Sequence, residues 1–327
     1  MATKTCGLEK MRNKTIGLVG YKKKEISNFK KKFKRFKFLN INDKNFYKKK
    51  STNIDALIVL FEYPIKNSLS NFLSEKFELF KKLKWFHLSR AGVDECIPFM
   101  KNYKFKFTSG KKIQGPNVSE HCIALLLLLT RSIFAMDKSK NYLRPTEILN
   151  KKILITGLGG IGLEIAKKLS AFGAKTYSVN DTKINKRFII KNYKLRDVKK
   201  IINNFDIVIN ALPLTSITKN FFDIKIFRKM KKNSYFVNIS RDQTINMKDF
   251  KKILKKKKFA GIGIDNTGSF KMKQKIYYDL KNNFILTDHQ AGVSTNLSRR
   301  KELIYNNINN YYYGKKLNYL VSKDKEY

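Results

Sequence analysis

A glycine-rich loop between a strand and a helix constrains the fold of this chain more than any other feature. The apolar segment Lys152–Thr156 is predicted as a strand, Leu163–Ala171 as a helix and Thr176–Val179 as a second strand. The loop after the first strand consists of Gly157, Leu158, Gly159, Gly160, Ile161 and Gly162. Glycines at this spacing allow a tight turn, a close approach of phosphate to the backbone, and helix–strand packing. Because the helix amides can bind that phosphate, the loop predicts a dinucleotide-binding unit.

The residue that ends the second strand bears on which dinucleotide fits. An acid at this position accepts a hydrogen bond from the ribose 2′-hydroxyl of NAD. Here Asn180 takes the position and Asp181 follows it. A neutral Asn does not repel the 2′-phosphate of NADP, and Lys183, Lys186 and Arg187 are close in sequence. Asp181 could still serve NAD, so the sequence leaves NAD and NADP both open.

Strands alternate with helices along the chain, which predicts an α/β fold with parallel sheets. The length of 327 residues suggests about two domains. Strands are predicted before the glycine loop at Thr15–Val19, Ala56–Phe61, Trp85–Leu88 and Phe105–Thr108. After it, further strands are predicted at Ile207–Asn210, Tyr235–Ile239, Gly261–Ile264 and Phe284–Leu286.

Three helical regions stand out. An apolar stripe of Ile26, Phe29, Phe33 and Phe36 predicts a helix whose opposite, Lys-rich face is exposed to solvent. Asn117 is predicted to cap a second helix, with Glu120 three residues on. That helix, from His121 to about Phe134, is apolar on nearly every side and should be buried, crossing between domains or forming a subunit interface. The last 35 or so residues, with aromatics at Tyr311, Tyr312 and Tyr313, are also predicted to be helical.

The composition is strongly basic, with 70 Lys and Arg against 25 Asp and Glu and a formal net charge of +45. The hydrophobic content of 42% argues against intrinsic disorder. A basic surface is the footprint of nucleic-acid binding, but only 11 of the 70 basic residues are Arg, which is favoured for phosphate and base contacts. A/T-rich codons would produce this Lys- and Asn-rich bias in any gene. We therefore interpret the charge as a solvated surface and expect no specific nucleic-acid partner.

The cysteines and apolar segments bear on the compartment. Cys6, Cys96 and Cys122 lie far apart without a CxxC or zinc spacing, which favours a reduced cytoplasm and no metal site. The longest apolar run, Cys122–Leu129, is too short to cross a bilayer, and no signal peptide is predicted. Residues 1–10 are interpreted as a leader before Met11, an alternative start.

Several motifs occur in the order found in one protein family. They are Ser89–Asp94, Ser119–His121, Gly157–Gly173, Asn210–Thr215, Phe236–Arg241, Ile264–Asp265 and Thr287–Gly292. Together they resemble the D-isomer-specific 2-hydroxyacid dehydrogenases over most of the chain. The resemblance implies two doubly wound parallel-sheet domains, with a Rossmann cofactor domain (116–291) inserted into a flavodoxin-like substrate domain (1–115 and 292–327). It also implies a homodimer formed through the cofactor domain.

The resemblance implies roles for individual residues, and the chemistry suits the residue types. Arg241 would bind the carboxylate of a small anionic 2-keto or 2-hydroxy acid, because a guanidinium makes bidentate contacts. His289 would donate a proton to the carbonyl oxygen near neutral pH. The other histidines, His87 and His121, are interpreted as structural. The remaining implied contacts are the amides of Ala91 and Gly92 to the substrate carboxylate, and Leu212, Pro213, Ile239 and Asp265 to the cofactor.

Two positions depart from the family pattern. Asp242 follows Arg241 where the family has glycine, and it either pairs with Arg241 or points away. Phe270 occupies the position of the Glu that hydrogen-bonds the catalytic histidine in the family. Without that carboxylate the pKa of His289 should fall, making it a poorer proton donor. Either the enzyme works with a weaker histidine, or Asp265 or Asp288 partly substitutes, or the chemistry is lost.

Three functions follow from these observations. The leading hypothesis is an NAD(P)-dependent oxidoreductase that acts on a small 2-keto or D-2-hydroxy acid. The second, motivated by Phe270, is a catalytically impaired nucleotide-binding or scaffold protein on the same fold. The third, motivated by charge alone, is nucleic-acid binding, for which the sequence shows no zinc-finger or RNA-binding motif.

Overall fold

The computed structural model divides the chain into two compact units. The terminal unit comprises Met1–Lys111 and Ser298–Tyr327, and the central unit comprises Lys112–Leu297. The predicted domain boundaries, after residues 115 and 291, lie close to these divisions. The described residues are 14–41, 54–60, 82–102, 104–135, 144–182, 184–266, 268–270, 276–279 and 283–327. Residues 1–10, Met11, Lys183 and the predicted strand end at Phe61 lie outside them.

The terminal unit is built on a parallel sheet of short apolar strands. Its elements up to residue 111 are β1 (Lys14–Val19), α1 (Lys23–Lys32), β2 (Phe36–Asn40), β3 (Ala56–Val59), β4 (Trp85–Leu88), α2 (Ile97–Asn102) and β5 (Lys106–Ser109). The described strands lie in the order β2-β1-β3-β4-β5, and each neighbouring pair is parallel. This is the flavodoxin-like order, so the predicted flavodoxin-like architecture is confirmed.

The central unit has a larger sheet covered by helices. Its strands are β6 (Lys152–Thr156), β7 (Lys175–Val179), β8 (Lys191–Tyr193), β9 (Ile207–Asn210), β10 (Tyr235–Asn238), β11 (Gly261–Asn266), β12 (Ile276–Asp279) and β13 (Phe284–Asp288). Its helices are α3 (Gly115–Thr130), α4 (Gly160–Ala171), α5 (Val198–Ile201), α6 (Ile224–Lys229) and α7 (Met247–Leu254).

The strand order of the central sheet confirms the predicted Rossmann architecture. The described strands lie in the order β12-β13-β11-β10-β9-β6-β7-β8. The run from β8 to β11 is the doubly wound order of dinucleotide-binding domains. The β12–β13 pair is antiparallel, and the other described pairs are parallel. The carboxyl ends of the parallel strands therefore meet at one edge of the sheet.

The chain ends with helix α8 (Ser298–Tyr312), which packs in the terminal unit. The rings of Phe29 on α1 and of Phe33, which caps its C-terminus, lie 5.3 and 5.2 Å from the ring of Tyr305, measured between centroids. Ile304 and Ile308 are buried in the same cluster. The helical part of the predicted stripe, Ile26 and Phe29, is thus buried, as its spacing predicts.

Several predicted element bounds were wrong. Phe36 is the first residue of β2, because α1 ends at Lys32 and the chain turns. Helix α3 begins at Gly115, not after an Asn117 cap, because Pro116 is tolerated in a first turn, where no N–H partner is needed. It ends at Thr130, and Phe134 lies in a 3-10 turn at Ile133–Ala135. The predicted C-terminal helix is confirmed only for Ser298–Tyr312; the residues just before Ser298 are irregular, and turns follow Tyr312.

Helix α3 is buried, as predicted, and packs on α4, β10 and β11. It contributes Val118, Cys122, Leu125, Leu126 and Leu129 to the core on one face of the central sheet. Among the described helices, none is both long enough and apolar enough to cross a membrane.

Candidate functional site

The glycine loop lies at the carboxyl edge of the central sheet, where β6 leads into α4. Gly157 has a φ of +92°, and a Cβ there would lie 2.5 Å from the Ala211 carbonyl oxygen. A Cβ on Gly162 would collide with the Gly157 carbonyl. A Cβ on Gly159 would meet nothing within 4 Å. Gly157 and Gly162 are therefore required by packing, whereas Gly159 leaves open space before the first turn of α4.

That open space suits a pyrophosphate. Gly159 is the residue that caps α4, and the helix runs for 12 residues from Gly160. The N–H groups of a helix's first turn and its dipole favour an anion at this point. The residues present, including Gly160 and Ile161, therefore fit the phosphates of a dinucleotide.

Asn180, at the end of β7, is held in a tight turn. Its side-chain amide donates to the Thr182 carbonyl oxygen at 2.7 Å, and its own carbonyl accepts from the Asn192 amide at 2.9 Å. Asp181, Lys186 and Arg187, which follow in the sequence, are exposed. A neutral side chain thus occupies the position of the ribose-binding acid.

A buried polar network joins the ends of β6, β9 and β10. The Thr156 hydroxyl donates to the Asn210 side chain at 3.2 Å, and the Asn210 amide donates to Asn238 at 2.8 Å. The same amide donates to Thr244 at 2.7 Å, and the Thr244 hydroxyl donates to the Arg241 carbonyl at 2.7 Å. Since each group donates to the next, the network connects the strand of the glycine loop to the backbone of Arg241.

Sequence reasoning missed the network residues Asn238 and Thr244 and assigned no role to Thr156. A usable signal exists, because Asn210 and Asn238 are each the last residue of a fully buried strand. Buried side-chain amides usually find hydrogen-bond partners, and here the Asn210 nitrogen donates to Asn238 Oδ1 across the sheet edge.

The predicted cofactor-lining residues Leu212, Pro213 and Ile239 lie beside this network. Leu212 and Ile239 are buried, and the Ser240 hydroxyl donates to the Leu212 carbonyl. The Pro213 carbonyl accepts from the Thr218 hydroxyl at 2.6 Å. The loops after β9 and β10 are thereby tied together next to the glycine loop.

Arg241 follows β10 and is partly exposed, immediately before a 3-10 turn at Asp242–Thr244. Asp242 is buried, and its carboxylate accepts from the Ser269 amide at 2.9 Å. The carboxylate thus holds the backbone of the segment that follows β11.

His289 follows β13, is exposed, and has a φ of +51°, which is uncommon for a residue with a side chain. Asp265, near the end of β11, is buried and accepts three hydrogen bonds. The donors are the Thr287 hydroxyl at 2.6 Å, the backbone N–H of Gln290 at 2.8 Å and the backbone N–H of Ala291 at 3.1 Å. Asp265 therefore holds the backbone immediately after His289.

Helix α3 holds the same segment from the other side. Gln114 donates to the Gly292 carbonyl at 3.4 Å, and Asn117 donates to the Ala291 carbonyl at 3.0 Å. His121 contacts the Thr287 hydroxyl through Nε2 at 2.9 Å and lies 3.7 Å from Asp265 Oδ1. Burial lowers the pKa of His121, and the nearby Asp265 partly opposes that shift.

Phe270 packs with aromatic residues. Its ring centroid lies 6.4 Å from that of Phe250 and 5.9 Å from that of Phe284. These residues belong to the apolar cluster on the face of the sheet that α6 and α7 cover. The side chain at this position therefore contributes to packing in the central unit.

Ala91 and Gly92 belong to the terminal unit and follow β4. The loop there is held by hydrogen bonds from the Gly110 amide to the carbonyls of Leu88 and Arg90, both at 2.8 Å. His87, on β4, is fully buried and contacts the Thr108 hydroxyl at 2.8 Å. Burial lowers its pKa to about 3, so it stays neutral.

The central unit thus places a guanidinium, an imidazole and the open space at Gly159 along one sheet edge. Arg241 lies in the loop after β10 and His289 directly follows β13, and β11, which carries Asp265, lies between these strands in the sheet. Such groups can bind a carboxylate, donate a proton and hold a dinucleotide. Among the described residues, no cluster of His, Cys, Asp and Glu is suited to hold a metal ion.

Comparisons with known proteins give a consistent result. Residues 123–291 match the profile of the D-isomer specific 2-hydroxyacid dehydrogenase NAD-binding domain. The glyoxylate reductase of Thermofilum pendens is 30% identical over 141 residues, covering 39% of this chain and 42% of that protein. The hydroxypyruvate reductase of Thermotoga maritima is 25% identical over 201 residues, covering 59% of this chain and 62% of that protein. The matches thus span about half the length of these curated relatives.

A solved structure shows the same fold over nearly the whole chain. It is the NADPH-dependent glyoxylate/hydroxypyruvate reductase of Sinorhizobium meliloti, in complex with NADP and sulfate. The TM-score is 0.78 at 19% identity, and the match covers 97% of this chain and 100% of that one. At this identity the likeness concerns the fold.

Proposed function

Because this chain belongs to the D-isomer-specific 2-hydroxyacid dehydrogenase family, we propose that it is an NAD- or NADP-dependent oxidoreductase that interconverts a small 2-keto acid and a D-2-hydroxy acid. The observation that carries the proposal is the placement of Arg241 and His289 at the same sheet edge as the glycine loop. The names of the relatives, which are reductases of glyoxylate and hydroxypyruvate, support a substrate with a small side chain.

Arg241 binds and orients the substrate in this proposal. Its planar guanidinium can hold one carboxylate oxygen and polarise the neighbouring carbonyl. The network from Thr156 through Asn210 and Thr244 to the Arg241 carbonyl keeps its backbone in place. Ala91 and Gly92 in the terminal unit are proposed to contribute backbone amides to the carboxylate.

His289 supplies the proton. A bound nicotinamide dinucleotide would deliver the hydride to the carbonyl carbon. As the new C–H bond forms, the electron pair of the carbonyl moves to oxygen, and the protonated imidazole of His289 donates its proton there. The neutral imidazole that remains takes up a proton from solvent before the next turnover.

The cofactor is held by contacts of three kinds. The opening at Gly159, with the first turn of α4, takes the pyrophosphate. The loops that carry Leu212, Pro213 and Ile239 are proposed to line the nicotinamide half. Asn180 is proposed to contact the ribose, where its neutral side chain tolerates either NAD or NADP.

The direct test is oxidation of NADH and of NADPH with glyoxylate, hydroxypyruvate, pyruvate and bulkier keto acids. We expect turnover of a small keto acid, followed at 340 nm, that His289→Ala abolishes. If neither dinucleotide binds, as measured by fluorescence titration, the proposal is wrong.

The packing of Phe270 against Phe250 and Phe284 favours a second candidate function. In this alternative the chain is a catalytically impaired nucleotide-binding or scaffold protein. It predicts cofactor binding without turnover of any keto acid. It also predicts that Arg241→Ala does not weaken this cofactor binding. Turnover that depends on His289 would eliminate it.

We also propose a homodimer formed through the central unit. Ile133 and Phe134 after α3 and Ile276 and Tyr277 on β12 are exposed apolar residues, and the ring of Phe134 contacts Tyr278 at 4.8 Å between centroids. A mass of twice 38.3 kDa by light scattering is the expected result. The buried free thiols Cys96 and Cys122 suit the cytoplasmic location that we propose.

A further inference from the structure

A directed chain of hydrogen bonds runs from helix α3 to the backbone after His289. Asp265 Oδ1 accepts from the Thr287 hydroxyl at 2.6 Å, and Thr287 in turn contacts His121 Nε2 at 2.9 Å. A carboxylate oxygen only accepts, so Thr287 must give its one hydrogen to Asp265. The hydroxyl then has only lone pairs to offer His121. The His121 imidazole must therefore donate from Nε2.

The far end of the chain is the segment that carries His289. Asp265 accepts from the Gln290 amide with Oδ1 and from the Ala291 amide with Oδ2. Both amides belong to residues directly after His289, whose backbone has a positive φ. Such a conformation persists when the surrounding contacts hold it in place.

Three polar side chains on one side of helix α3 and its cap contact the segment around His289. Gln114, which caps the helix, and Asn117 and His121 within it lie three and four residues apart, which places them on the same side. They contact Gly292, Ala291 and Thr287, respectively. His121 is the member of this set that reaches a carboxylate through a hydroxyl, because Asp265 and Thr287 are paired neighbours on β11 and β13.

We propose that His121 is a positioning residue that acts through Thr287 and Asp265 to fix the backbone carrying His289. The relay supplies, through backbone contacts, part of the orientation that the family obtains from an acid at the position of Phe270. This inference rests on the proposed role of His289 as proton donor. His121 and Thr287 thereby support the reaction by positioning His289, although neither is expected to touch the substrate.

The experiment compares two pairs of variants in the full-length chain. His121→Leu and Thr287→Val each remove the donor at one step, whereas His121→Gln and Thr287→Ser keep a donor at the same position. Glu120→Gln is the matched control, since Glu120 is exposed on the same helix and pairs with Lys168. The first readout is hydrogen exchange of the Gln290 and Ala291 amides. The second is the separate effect on kcat and KM with the best keto acid.

We expect the amides to exchange about tenfold faster in His121→Leu and Thr287→Val, because their acceptor is no longer held. We expect kcat to fall about tenfold in the same variants with little change in KM. His121→Gln and Thr287→Ser should restore both quantities at least partly. If Thr287→Val does not fold, the difference in hydrogen exchange and kcat between His121→Leu and His121→Gln tests the proposal by itself.

Unchanged exchange and unchanged kcat in His121→Leu would overturn the relay, and so would equal effects of His121→Leu and His121→Gln. Faster exchange in a chain whose unmodified form turns over no keto acid would support the relay and refute the proposed activity. The two proposals therefore fail in distinguishable ways, because hydrogen exchange needs no substrate.

Discussion

The terminal and central units share a parallel α/β architecture but differ at the carboxyl ends of their strands. In the central unit those ends carry polar residues joined by side-chain hydrogen bonds, namely Thr156, Asn210, Asn238, Asp265 and Thr287. In the terminal unit the three inner strands β1, β3 and β4 end in Val19, Val59 and Leu88, and the polar ends Asn40 and Ser109 belong to the two edge strands β2 and β5. The shared sheet is thus a frame, and the polar strand ends mark where chemistry is supported.

Arg241 should show the largest effect if the central sheet edge carries the chemistry. Arg241→Ala is expected to lower kcat/KM about 10³-fold, since it removes a charged contact made to the reacting substrate. Arg241→Lys should not restore the rate, because the planar fork is lost. The control is Arg196→Ala, which changes an exposed Arg before α5. Full turnover by Arg241→Ala would show that the edge of the central unit is not the substrate site.

The glycine loop of the central unit separates a glycine needed for stability from one needed for dinucleotide binding. Gly157→Ala should destabilise the fold by about 3 kcal/mol, because a Cβ meets the Ala211 backbone and φ is positive. Gly159→Ala should leave the unfolding free energy unchanged and weaken dinucleotide binding about tenfold, because its Cβ would occupy the open space. Urea unfolding and fluorescence titration measure the two effects. Equal effects of the two substitutions on stability would contradict the assignment of the open space.

In the terminal unit a buried histidine should affect stability alone. Burial lowers the pKa of His87 from 6.5 to about 3, so below pH 6.5 the unfolded chain binds a proton that the folded chain does not. Stability should therefore fall as the pH falls from about 6.5 towards 3, by about 2 kcal/mol at pH 5. Unfolding of the original chain and of His87→Gln at pH 7 and pH 5 isolates this contribution. A pH dependence of the same size in both proteins would rule it out.

The smallest expected effect concerns the missing acid. Phe270→Glu should move the alkaline limb of the pH–rate profile for keto-acid reduction upward by about one pH unit, since a carboxylate near His289 favours the imidazolium that donates the proton. Phe270→Gln controls for the loss of aromatic packing against Phe250 and Phe284. An unchanged profile would mean that residue 270 does not reach His289 and that the alignment there is wrong.

The excess of Lys is compatible with structural roles for the few acidic residues and a solvent-exposed position for the lysines. Carboxylates in the central unit accept hydrogen bonds from backbone amides, as Asp206 does from Lys152, Asp242 from Ser269, and Asp249 from Ile224. A lysine cannot accept such bonds. The acids thus have structural partners, whereas most Lys side chains of α1 and α7 are exposed. A field of this sign would also speed the approach of anionic substrates and cofactors.

The sequence predicted the frame well where short-range sterics decide. Strands β4, β6 and β9 have the predicted bounds, because each is a compact apolar run between polar residues. It missed β2, β8 and β12. Lys191–Tyr193 and Ile276–Asp279 at the sheet edges are half-exposed and lack a continuous apolar pattern.

The candidate site divides in the same way. The spacing of Gly157, Gly159 and Gly162 predicts the phosphate-binding loop, because Gly157 meets a steric requirement of the turn, Gly162 allows close helix–strand packing, and Gly159 leaves room for a phosphate. The position of His289 at a strand end could also be predicted from the sequence. The partners of its loop could not, since His121 and Asp265 are 144 residues apart in the sequence and meet only when α3 packs on β11.

The sequence by itself therefore determined the α/β class and the dinucleotide loop, because apolar periodicity and glycine sterics act over a few residues. The tertiary structure decided which side chains support the histidine. It packed the partly buried Phe270 against the rings of Phe250 and Phe284, turned Asp242 to the Ser269 backbone N–H, and gave Asp265 the backbone N–H groups of Gln290 and Ala291. Hydrogen bonds between distant segments depend on how helices and strands pack, and the linear pattern of residue types does not encode that packing locally.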